Sequence, residues 1–99
     1  MLALERIKLL QMADEYQKLR ELLDNQEYPS VYFYKFIVKQ DPAKIQQIKR
    51  CFSETAEITT KPSSNGKYTS VSIKEMMLNS QDIINRYKAV SKIDNVITL

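Results

Sequence analysis

The dipeptide Asn65-Gly66 sits inside KPSSNGKYTSVSI, residues 61–73, and holds the one glycine of the 99-residue chain. Asn-Gly between alternating residues is a strong short-range hairpin signal, because both central residues of a type I′ turn need positive φ. Centring such a turn on this pair puts Ser64 opposite Lys67, Ser63 opposite Tyr68, Pro62 opposite Thr69 and Lys61 opposite Ser70. Further out, Thr60 meets Val71, Thr59 meets Ser72 and Ile58 meets Ile73. The register supports itself, since Ile58, Thr60, Val71 and Ile73 share one face and the polar residues share the other. Pro62 has no N–H to give to a ladder, so Glu57–Ser64 is expected to be an edge strand.

The elements around the hairpin follow from periodicity. Leu9, Met12, Tyr16, Leu19 and Leu23 recur at spacings of three and four, which predicts a helix over residues 1–27. Pro29 forbids its continuation. VYFYKFIVK, residues 31–39, is β-branched and aromatic and predicts a strand. Tyr32, Tyr34, Phe36 and Val38 fall on one face of it; Val31, Phe33, Lys35, Ile37 and Lys39 fall on the other. Both faces are apolar enough to suggest a central strand covered on two sides. Asp41 can cap a following helix, with Pro42 in its first position and Ile45, Ile48 and Phe52 turned inward. A second helix is expected after Asn79 or Ser80, with Ile83, Tyr87 and Val90 inward. NVITL closes the chain as a short strand.

After the leading helix the order is β-α-β-β-α-β. Two right-handed crossovers and one hairpin give a ferredoxin-like α+β sandwich: a four-stranded antiparallel sheet with both helices on one face. The expected spatial order is fourth, first, third, second strand. The division is a helical extension over 1–27 and a ferredoxin-like domain over 28–99.

Composition closes off most chemistry. The chain has no histidine, so imidazole acid–base catalysis and histidine metal sites are excluded. One glycine cannot build a Walker or dinucleotide loop. One cysteine excludes an internal disulfide and a multi-cysteine metal site. Cys51 reads as a small, partly buried helix residue, not a nucleophile. The carboxylates are dispersed and form no hard-metal loop. No catalytic residue, metal or cofactor is therefore expected, and the chain reads as a non-enzyme. The net charge of +3 is mild and its lysines are scattered. No apolar run approaches the ~20 residues that span a bilayer, and the first residues lack a signal-peptide core. The expected compartment is the cytoplasm.

The segments ELL…YP…YFYKFIV, KPSSNGKYTSVSI and KIDNVITL together resemble the YbeD-like family of small bacterial proteins. The likeness runs from about Glu21 to Leu99 and is most specific over Lys61–Ser72. It implies a ferredoxin-like fold similar to the regulatory ACT domains that sense amino acids. The longer N-terminal helix departs from the shortest members. The resemblance brings no catalytic or ligand residues with it. ACT ligand sites usually use a glycine after the first strand, where this chain has KQDPAKI, so amino-acid sensing of that kind is not implied.

These readings converge on the sheet face away from the helices. Phe33, Ile37, Tyr68 and Met76 would leave it partly apolar, mixed with lysines and serines, and such a face is usually covered. The candidate binding face is Phe33, Lys35, Lys61, Ser63, Tyr68 and Ser70, an aromatic pair ringed by lysines. The expected function is regulatory or adaptor work by binding. A protein partner or a second copy of the chain comes first, and a small-molecule ligand second. The alternative is RNA binding in the manner of an RNA recognition motif, which shares this element order. It is disfavoured because Ser70 and Ser72 stand where rings would stack.

Overall fold

The computed structural model describes residues 16–99. Within them lie a helix over residues 16–24 (α1), then β1 (Ser30–Lys39), α2 (Pro42–Arg50), β2 (Glu57–Pro62), β3 (Tyr68–Met77), α3 (Ser80–Ser91) and β4 (Ile97–Thr98). The four strands form one antiparallel sheet in the order β2-β3-β1-β4, the order expected from the sequence. The architecture is a ferredoxin-like α+β sandwich. Leu9 and Met12, the first positions of the leading stripe, lie outside the described residues.

Period-two burial explains the layering. On β1, Tyr34, Phe36 and Val38 are buried; on β3, Val71, Ile73 and Met77 are. From the helices come Ile48 of α2 and Ile83, Ile84 and Val90 of α3, with Phe52 just beyond α2. These residues form one core between the sheet and its helical layer. Ile84 widens the inward stripe of α3 beyond the residues expected from spacing. Asp41 caps α2 by accepting from the Ala43 N–H at 3.0 Å. Asn79 caps α3, accepting from Asp82 N–H at 2.9 Å.

Three expectations need correction. The leading helix ends at residue 24 instead of 27. Asn25 and Gln26 donate back to Leu22 and Leu23 carbonyls, and the Tyr28 hydroxyl donates to the Leu23 carbonyl at 2.8 Å. These bonds satisfy the carbonyls that the helix end leaves free. The second correction concerns β1, which is central but covered on one face only, among the described residues. α1 does not lie over the outer face. Leu23 is buried in the core, Asp24 is hydrogen-bonded to Ser80, and Arg20 to Gln81, so α1 runs beside α3. Its stripe matches the core, whereas Lys35 and Lys39 break up the outer face.

The hairpin supplies the third correction. The expected register is observed pair for pair, from Pro62↔Thr69 to Ile58↔Ile73. The turn is not type I′. Gly66 has φ of 72°, but Asn65 does not reach positive φ. Instead Ser63 N–H donates to the Tyr68 carbonyl (2.7 Å) and Gly66 N–H to the Ser63 carbonyl (2.9 Å). The loop is a five-residue connection, residues 63–67, built on a turn at 63–66 with Gly66 left-handed. Asn65 is held by its side chain, whose Oδ1 accepts from Lys67 N–H (3.0 Å) and the Ser63 hydroxyl (2.8 Å). This local capture gives the backbone a cheaper route than two consecutive left-handed residues. The strand consequently ends at Pro62, not Ser64.

Candidate functional site: the open sheet face

The face away from the helices is set by the same registers. Val31 lies opposite Met76, Phe33 opposite Lys74, Lys35 opposite Ser72, Ile37 opposite Ser70 and Lys39 opposite Tyr68. On β2, Glu57 meets Lys74, Thr59 meets Ser72 and Lys61 meets Ser70. On β4, Ile97 faces Ile37, and Leu99 N–H donates to the Lys35 carbonyl at 3.0 Å. No described element covers these side chains. Phe33 is 66% exposed, Leu99 68% and Met76 58%. A groove of about 410 Å³ on this face is lined by Phe33, Lys35, Thr59, Ser72, Lys74 and Leu99 among others.

Phe33, Lys35, Lys61, Tyr68 and Ser70 all stand on this face, and Lys61 lies opposite Ser70. The Ser70 hydroxyl donates to the Lys61 carbonyl at 3.3 Å. Two details differ from the sequence picture. Phe33 and Tyr68 are not a pair: at ~3.3 Å per residue the stretch of β3 from Lys74 to Tyr68 spans about 20 Å. The partner of the Phe33 ring is the Lys74 ammonium, 5.4 Å from its centroid, a cation–π contact. Ser63 belongs to the loop. Its hydroxyl donates to Asn65 and accepts from Tyr68 N–H at 3.1 Å.

A buried polar cluster lies behind the sheet. Glu75 is 3% exposed on the core face of β3, between Ile73 and Met77. Its carboxylate accepts from Arg86 Nε (2.8 Å) and from the Ser53 N–H (2.9 Å) and hydroxyl. Arg86 also donates to the Cys51 carbonyl at 3.0 Å and stacks over Phe52. Burial pushes the Glu75 carboxyl up, but the Ser53 hydrogen bonds and the Arg86 charge outweigh it and leave it below its ordinary value. Sequence reasoning missed this group. The strict alternation of β3 carried the signal, because it puts Glu75 in step with Val71 and Ile73.

Beside it, Tyr34 packs against Tyr32 at a tilt and against Phe52 and Tyr87 edge-on. Tyr32 and Tyr87 hydroxyls share a hydrogen bond at 2.9 Å. Among the described residues the buried Tyr34 hydroxyl has no hydrogen-bond partner. Burial, with the nearby Glu75 charge, pushes its ionisation far above the ordinary range. Cys51 is half-buried, its thiol donating to the Gln47 carbonyl, and burial raises its pKa. Among the described residues no three His, Cys, Asp or Glu side chains gather to hold a metal. No described helix is long and apolar enough to cross a membrane.

The model of the family described as Protein of unknown function (DUF493) matches residues 24–99. The chain belongs to the DUF493 family. This is the YbeD-like family to which residues 61–72 pointed. The chain is also similar to the solution structure of protein HP0495 from H. pylori, with 20% identity and a TM-score of 0.61. That likeness covers 76% of this chain and 86% of that one, and it speaks for the fold. No curated protein matches the chain. The DUF493 match starts at residue 24, so it takes in β1 through β4, with the whole open face, and leaves α1 outside except for Asp24.

Proposed function

We propose that this DUF493 chain is a small, non-catalytic ACT-like module that acts as a regulator or adaptor, binding a protein partner through its open sheet face. The observation that supports this is the exposed apolar set of that face, above all Phe33, standing among lysines with no described element over it. Exposed apolar patches of this kind mark interaction surfaces, and an aromatic anchor with a charged rim suits a hot spot. RNA binding is the weaker reading. Base stacking needs rings on adjacent positions of the central strands, whereas here Ser70 and Ser72 separate Phe33 from Tyr68.

Pull-down with the full chain tests the proposal. Phe33→Ala, and separately Tyr68→Ala combined with Lys61→Glu, should lower partner recovery while leaving circular dichroism unchanged. For a hot-spot ring the loss is about tenfold or more. Equal recovery of the same proteins by both variants would sink the proposal.

A further inference from the structure

The open face is amphipathic across its width. Along β1 and β4 an apolar stripe runs from Val31, with Met76 of β3 opposite it, through Phe33, to Ile37 and Ile97. Lys35 interrupts the β1 row, but Leu99 beside it on β4 restores continuity. On the β3–β2 side lie Lys74, Ser72, Ser70 and Lys61, with Tyr68 at the end facing Lys39 of β1. Among the described strand residues of this face four lysine side chains, Lys35, Lys39, Lys61 and Lys74, stand against one carboxylate side chain, Glu57. We infer that this face is a docking surface for an acidic amphipathic helix of a partner protein. The inference rests on the reading above that the open face is the working surface.

Three arguments select that occupant. The backbone N–H and C=O groups of β1 and β3 lie in the plane of the sheet and point toward neighbouring strands, so the face offers a partner side chains and not backbone. A partner lying there must satisfy its own backbone, as a helix does. A second copy meeting face to face would set lysines against lysines, which costs affinity. The dimensions agree as well. From Val31 to Ile37 the stripe is about 20 Å long at ~3.3 Å per residue, the length of about 13 helical residues at 1.5 Å rise. Leucines at helical spacing would cover the stripe while glutamates on one flank reached the lysines.

The test is titration of the isotopically labelled full chain with a synthetic 14-residue peptide carrying Leu at i, i+3, i+4 and i+7 spacing and Glu elsewhere. A counterpart with Lys for every Glu, and an oligouridine, are run beside it. The acidic peptide should shift the amides of Phe33, Lys35, Ser72, Lys74 and Leu99, leave α2 and α3 unmoved, and bind at least about tenfold tighter than its basic counterpart. Lys35→Glu combined with Lys74→Glu, both at exposed positions, should reverse that preference. Equal binding of the two peptides, shifts away from this face, no shift at millimolar peptide, or preference for oligouridine would each overturn the inference. If the peptide fails while Phe33→Ala still lowers partner recovery, the face is a working surface with a different occupant. If both fail, the reading of the face falls too.

Discussion

Tyr34 and Glu75 are neighbours in the core with opposite polar fates. A buried donor left unpaired carries its full desolvation cost, about 1–3 kcal/mol. The Tyr34 hydroxyl has no partner among the described residues, so Tyr34→Phe should leave stability unchanged or raise it by up to about 1 kcal/mol in urea melts; a clear loss would mean that the hydroxyl is bonded. Glu75 is fully engaged, and removing one member of a buried ion pair is expensive. Glu75→Ala should cost about 3 kcal/mol, the low end because the Arg86 side chain is 32% exposed and can rehydrate. The pH sign follows from the depressed carboxyl. Below its ordinary value of 4.5 the unfolded chain takes up the proton first. The Glu75 contribution is therefore complete above that pH and is lost as pH falls through the lower folded value. Glu75→Gln should flatten the acid limb of a stability–pH curve; an unchanged slope would mean that other carboxylates set it. The position of Glu75 on the core face was legible from the period of β3. Its partners were not, since Ser53 and Arg86 come from segments that only the tertiary fold brings together.

At the scale of elements, the hairpin shows what a sequence encodes twice and what it encodes once. The register was legible because the turn residues and the period-two pattern agree on it, and a slip by one would expose Val71 and Ile73. The turn type depended on Asn65 alone, and its side-chain hydrogen bonds decided against two left-handed residues. Gly66 remains the one backbone requirement. A Cβ there would meet nothing within 4 Å, so substitution costs come from φ and not from crowding. Gly66→Val should then destabilise by roughly 1 kcal/mol or more. Gly66→Asn should cost distinctly less, since Asn tolerates that region. Equal melting midpoints for the two variants would show that φ is not the source.

For the whole molecule, the question is where the domain begins. Periodicity and Pro29 put the division at 27, because the residue before a proline avoids the helical region. The core disagrees with so sharp a cut: Leu23 is 2% exposed within it, and Tyr28 reaches back to the Leu23 carbonyl. Leu23→Ala should cost about 2–4 kcal/mol, and a chain starting at residue 28 should be destabilised by at least as much. Melting of that truncated chain at the full-length temperature would show α1 to be an appendage. The location of the candidate face was legible from strand alternation. Its amphipathic width was not, because that depends on Ile97 and Leu99 meeting β1, and two residues of β4 carry too little pattern to fix a register.

The hairpin ladder also bears on how the sheet ends. Ser63 bonds to Tyr68, so in the alternating antiparallel pattern Ile58, Thr60 and Pro62 turn their backbones outward from β2. Pro62 thus takes a donor out of the outward row of β2, a row that another chain could copy. An incoming strand would find N–H groups at Ile58 and Thr60 and then a pyrrolidine ring, with Glu57 and Lys61 exposed alongside. The β2 border of the sheet is in this way made a poor template for fibril growth, by a residue whose position the hairpin register dictates.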